Sequence, residues 1–146
     1  MKRWSGAKSY GFTAIELIIV IAIAAIIMAI AIPLYNNFSN NNKISTSISQ
    51  IEADLRNAKQ KATASGTIYQ VSYFRDSTFY SVSGNGSSVD VPLNGGVMIT
   101  SSGTISLYPA YETSRKQTSS GTIVIYLGSK RASVIISENG KINEGP

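Results

Sequence analysis

The chain predicts an α+β protein: a long N-terminal helix, half transmembrane and half amphipathic, packed on an antiparallel β-sheet head. Three observations carry that prediction. Apolar residues run unbroken from Leu17 to Ile32; apolar positions from Ile44 to Ala62 recur at helical spacing; and after Gly66 come short β-branched and aromatic segments separated by glycine, asparagine and serine.

The first half of the helix has the length of a membrane span. A helix from Phe12 to Ile32 extends about 32 Å at 1.5 Å per residue, close to the roughly 30 Å of a hydrocarbon core. Lys2, Arg3 and Lys8 precede it, so the N-terminus is expected on the cytoplasmic side with the rest of the chain outside. A cleaved secretory signal would have a shorter apolar region followed by small residues, whereas Leu34-Tyr35-Asn36-Asn37 follows Pro33 here. A carboxylate, Glu16, stands near the start of the run. A charge at the centre of an inserted helix costs about 2.5–3.5 kcal/mol, somewhat less near an end, and a plain anchor has no use for it. Pro33 lacks a backbone donor and clashes with the preceding turn, so a kink or break is expected there. The asparagines at 36, 37 and 40–42 favour a soft stretch beyond it.

The segment Gly11-Phe12-Thr13-Ala14-Ile15-Glu16, followed by the apolar run and Pro33, resembles the N-terminus of type IV pilins and type II secretion pseudopilins. The resemblance implies that a prepilin peptidase cuts between Gly11 and Phe12 and that Phe12 is then N-methylated. It also implies that Glu16 serves assembly by pairing with the Phe12 amine of a neighbouring subunit. The expected organisation is a removed leader (1–11), a transmembrane and assembly helix (12–34), an amphipathic half-helix (35–66) and a β-rich head (67–146). Expected partners are the peptidase, other pilin or pseudopilin subunits and the inner membrane. The competing reading, a single-pass anchored head that never polymerises, explains the apolar run but not Glu16 or the Gly11-Phe12 junction.

Ile44, Ile48, Ile51, Leu55, Ala58 and Ala62 lie three or four residues apart, with Gln50, Glu52, Asp54, Arg56, Lys59 and Lys61 between them. That pattern is an amphipathic helix with one core-facing stripe, and Ser65-Gly66 is a fitting stop. Strands are expected at 67–74 and 78–83, joined by Arg75-Asp76-Ser77, then a loop at Gly84–Ser88. Two more, at 97–100 and 104–108, flank a turn at Ser101–Gly103. An exposed loop is expected from Pro109 to Gly121. A hairpin follows, with strands at 122–127 and 132–137 around Gly128–Arg131, and Asn139-Gly140 turns the chain into Lys141-Ile142-Asn143. This C-terminal run is similar to the ends of H-type minor pseudopilins and T-type minor pilins, which implies a minor subunit.

The chain has no histidine and no cysteine, which excludes His-based triads, thiol nucleophiles and zinc sites of the usual ligands. The eight acidic residues are scattered. No enzyme activity, metal or cofactor is therefore expected. The formal charge of +5 includes three leader cations and no leader anion, so the basic balance says little about partners. One binding alternative remains, a DNA-binding minor pilin. Arg115, Lys116, Lys130, Arg131 and Lys141 could form a cationic patch making salt-sensitive phosphate contacts with nucleic acid, although hairpin tips and loops often carry solvated Lys or Arg.

Overall fold

The computed structural model describes residues 11–109 and 118–145. Among these, a single α-helix, α1 (Ala14–Ser65), is followed by β1 (Tyr69–Tyr73), β2 (Phe79–Gly84), β3 (Ser87–Pro92), a 3-10 turn at Asn94–Gly96, β4 (Met98–Ile99), β5 (Gly103–Leu107), β6 (Gly121–Leu127), β7 (Lys130–Ile136) and β8 (Ile142–Gly145). The chain divides into two compact units, one ending at Phe38 and the other beginning at Ser39, and α1 contributes to both.

In the first unit the helix is apolar all round. Every residue from Ala14 to Phe38 is exposed except the half-buried Ala24. The break expected at Pro33 does not occur, because α1 runs through it and through the asparagine-rich segment that follows. Each residue added to an existing helix gains a hydrogen bond without a new nucleation cost. The loss of one donor at Pro33, and the weak propensity of the asparagines, therefore do not end a helix 52 residues long.

In the second unit the expected stripe is the buried face of α1: Ile44, Ile48, Ile51, Leu55, Ala58 and Ala62 all lie in the core. Ser47 joins them, its hydroxyl donating to the Lys43 carbonyl at 2.9 Å, so the stripe tolerates one polar residue. α1 ends as expected, with the Gly66 amide donating to the Ala62 carbonyl and Gly66 at φ 68°.

The head is two four-stranded antiparallel sheets rather than one, with strand orders β3-β2-β1-β5 and β4-β6-β7-β8. Consequently the segments around Ser101–Gly103 are not a hairpin. β4 pairs with β6 and β5 with β1, and the chain crosses between sheets there. Alternate residues of both sheets point into one core: Val71 and Tyr73, Ile105 and Leu107, Ile123 and Ile125, Val134 and Ile136. Each fully buried Ile, Leu or Val side chain contributes about 1.5–3 kcal/mol. Two tyrosines tie the layers. The Tyr73 hydroxyl donates to the Thr122 carbonyl at 3.1 Å, bridging the sheets, and the Tyr80 hydroxyl donates to Asp54 Oδ2 on α1 at 2.6 Å.

Three expected loops are reassigned. The Gly84–Ser88 loop is a two-residue turn, Asn85-Gly86, followed by the strand β3. Both turn residues have positive φ, 50° and 76°, which suits an Asn-Gly hairpin. The Gly128–Arg131 turn shortens to Gly128-Ser129, because Lys130 and Arg131 already pair with Leu127 and Tyr126. Of the Pro109–Gly121 loop, residues 110–117 lie outside the described residues. Thr118 is buried rather than exposed, and its hydroxyl donates to the Ser137 carbonyl at 2.6 Å.

Candidate functional site

The first turn of α1 places Glu16 within a reciprocal pair of caps. The Thr13 amide and hydroxyl both donate to Glu16 Oε2, at 3.0 and 2.9 Å, and the Glu16 amide donates back to the Thr13 hydroxyl at 3.3 Å. This is a capping box, in which orphan amides at a helix start are satisfied by the side chains of the N-cap residue and the residue three further on. The positive end of the helix dipole adds to it, since a negative charge is favoured in the first turn. Glu16 thus has a structural role within one chain, and its Oε2 atom is held in one orientation. Thr13 is the residue that the charge reading of Glu16 overlooks. The signal was present as a threonine three residues before a glutamate at the start of an apolar run.

Gly11 and Phe12 precede this turn, and both are exposed. A Cβ added at Gly11 would meet nothing within 4 Å, and Gly11 is not among the residues of positive φ. Local geometry therefore does not require glycine there. Phe12 is 79% exposed, and behind it Ile15, Leu17, Ile18 and the other large apolar residues to Ile32 are each more than half exposed. The exposed apolar surface continues past Pro33 at Leu34, Tyr35 and Phe38. By length and composition this is the one helix among the described residues able to cross a membrane. Water is a poor solvent for such a surface, so lipid or other apolar helices must cover it.

Among the described cationic candidates, Lys141 does not join Lys130 and Arg131. Lys130 and Arg131 are exposed at the start of β7, whereas Lys141 sits just before β8, whose Ile142 pairs with Ile136 at the far end of β7. Six strand steps separate the two ends, about 20 Å. Arg115 and Lys116 lie outside the described residues. Instead, Lys130 and Arg131 share a shallow depression with Asn41, Ile44 and Ser45 of α1 and with Glu144.

Comparison with known proteins finds two relatives, each a "Fimbrial protein" of Pseudomonas aeruginosa, 41% identical over 56 residues, a stretch that is 38% of this chain and 36% of each relative. The matched stretch thus spans about a third of the length of those relatives. No family model matches the chain, and no solved structure matches it. The fimbrial similarity accompanies a long N-terminal helix, apolar then amphipathic, and a head of antiparallel sheets.

Proposed function

We propose that the chain is a structural subunit, and a minor one, of a type II secretion pseudopilus or a type IV pilus. It is inserted in the inner membrane through residues 12–34 with its head outside the cytoplasm. Prepilin peptidase removes residues 1–11, Phe12 is N-methylated, and the subunit polymerises with other pilin or pseudopilin subunits through α1. The observation that carries this reading is the exposed apolar surface from Phe12 to Phe38, headed by a carboxylate already held in a capped turn. A span without Glu16 would insert at least as well.

The chemistry of assembly follows from the cut. Cleavage at Gly11 frees an amine on Phe12 with an ordinary pKa of about 7.7–8.0, and methylation keeps it basic. Inside an apolar bundle, a lone carboxylate or a lone ammonium is costly and the pair much less so. Pairing Glu16 of one subunit with the Phe12 amine of the next therefore selects an axial register more than it adds stability. Gly11 is free of local backbone constraints, which suits a glycine read by a processing enzyme in an extended conformation.

The test is expression of the full chain in cells holding the peptidase, followed by mass measurement and N-terminal sequencing. A methylated Phe12 start is expected, and a persistent Met1 start would overturn the processing step. In the same cells, Glu16→Ala should lower sheared filament at least ten-fold while the processed subunit stays in the membrane. Wild-type filament from that variant would remove the assembly role of Glu16.

A further inference from the structure

The sequence carries no charge from Leu17 to Asn42, and the first cation after that gap is Lys43. Its stem lies across Gly95, where an added Cβ would come within 2.6 Å of the Lys43 Cδ and where φ is 70°. Gly95 belongs to the turn that leads into β4. Met98 of β4 pairs with Tyr126 of β6, and Tyr126 pairs with Arg131 of β7; the Tyr126 hydroxyl also donates to Met98 Sδ at 3.1 Å. Lys43, Lys130 and Arg131 therefore occupy one end of the head, the end at which α1 enters it. Glu144 is the acidic residue bordering the same depression. None of the three cations has an ion-pair partner among the described residues.

We propose that this end of the head is a docking surface for anionic phospholipid headgroups, held against the bilayer that contains the N-terminal span. The tether favours lipid over nucleic acid. Asn41 follows Ile32 by nine residues, so in any conformation no more than about 30 Å of chain separates the end of the span from the start of this surface. Tyr35 and Phe38 lie within that tether and are 70% and 63% exposed. A tyrosine just beyond an apolar run favours the headgroup level, so Tyr35 would hold the tether near the interface. Cations delivered to that height meet lipid phosphates at high local concentration, and each contributes to attraction within a Debye length of an anionic surface. The unprocessed or processed subunit would thus wait in the membrane with its head seated, and the hairpin tip would be released when it joins a filament. This proposal rests on the membrane-inserted reading above.

Because the chain has no cysteine, Ser129→Cys at the exposed hairpin tip gives a unique site for an environment-sensitive fluorophore. The full-length labelled protein is reconstituted into phosphatidylcholine vesicles with and without phosphatidylglycerol, each doped with a headgroup-level quencher lipid. Co-flotation in both vesicle types reports insertion of the span, so its absence would overturn the membrane reading itself. Given co-flotation, the proposal expects quenching several-fold stronger in the anionic vesicles and abolished by high salt. The docked-to-undocked ratio should fall roughly five-fold for each of Lys130→Gln and Arg131→Gln, while Lys141→Gln, at the other end of β7, leaves it unchanged. Equal quenching in the two vesicle types, or none in either, would overturn the proposal. So would a larger response to added duplex DNA than to anionic lipid, which would return the surface to nucleic acid.

Discussion

The two parts of α1 obey one helical geometry and solve opposite problems. From Ser39 onward the helix alternates, and its stripe from Ile44 to Ala62 is buried within the same chain. Before Ser39 it does not alternate, and large apolar side chains are exposed on every side. The second part is stabilised by its own sheets. The first leaves its hydrophobic surface exposed, so what it needs is a covering apolar medium, a demand written into composition rather than into a pocket.

The contrast breaks most sharply with a carboxylate placed in each part. Ile51 is fully buried, and Ile51→Asp would bury a charge with no partner, at a cost of more than 4 kcal/mol. The head should fail to fold, read as loss of near-UV circular dichroism in detergent. Ile21→Asp should leave that signal and the head's unfolding midpoint unchanged. Its cost should fall on membrane insertion, about 2.5–3.5 kcal/mol at a helix centre, read as the protease-protected fraction. A milder pair sharpens the same point. Leu55→Ala should destabilise the head by about 2–5 kcal/mol, whereas Ile27→Ala, on the exposed part of α1, should not move the midpoint.

That difference also explains what could be read from sequence. Both parts of α1 were legible because an unbroken apolar run and a 3-4 stripe are local signals. β3 was not, since Ser87-Ser88-Val89-Asp90 is exposed throughout and an edge strand has little to bury; only Asn85-Gly86 announced a hairpin. The split into two sheets was illegible because strand pairing is long-range: β4 and β5 are neighbours in sequence and belong to different sheets. Burial of Thr118 was hidden for the same reason, its partner Ser137 being far along the chain. At the site, Glu16 announced itself by charge, while Lys43 could be joined to Lys130 and Arg131 only once the strand registers were known.

A smaller effect on the head depends on pH. Burial first, and then the hydrogen bond to Asp54, push the Tyr80 hydroxyl well above the usual tyrosine range, and burial raises Tyr73 in the same direction. For a group whose folded pKa is raised, the stabilisation is complete below the unfolded value, about 10, and is lost as pH rises from there toward the folded one. The head should therefore lose stability above about pH 10. Tyr80→Phe should flatten that decline while costing roughly 1–3 kcal/mol at neutral pH, because the half-buried Asp54 loses a donor. Denaturant midpoints at neutral and alkaline pH test both.

The smallest effect is expected at the capping box, where it separates what Glu16 does for its own helix from the pairing with a neighbour proposed above. Thr13→Val removes the hydroxyl that both donates to and accepts from Glu16, and loss of an N-cap costs about 0.5–2 kcal/mol. Amide exchange at Glu16 and Leu17 in micelles should quicken, since both amides donate to Thr13; Thr13→Ser should restore it, and the head's midpoint should not change. Glu16→Gln divides the two roles further. Its side-chain oxygen can still accept from the Thr13 amide, so most of the local protection should remain, but it carries no charge to offer a neighbour's amine. If Glu16→Gln keeps exchange slow and still lowers filament yield toward that of Glu16→Ala, the charge serves assembly and the cap serves only to aim it. If filament yield instead follows exchange protection across Thr13→Val, Thr13→Ser and Glu16→Gln, order in the first turn is the requirement, and the charge is secondary.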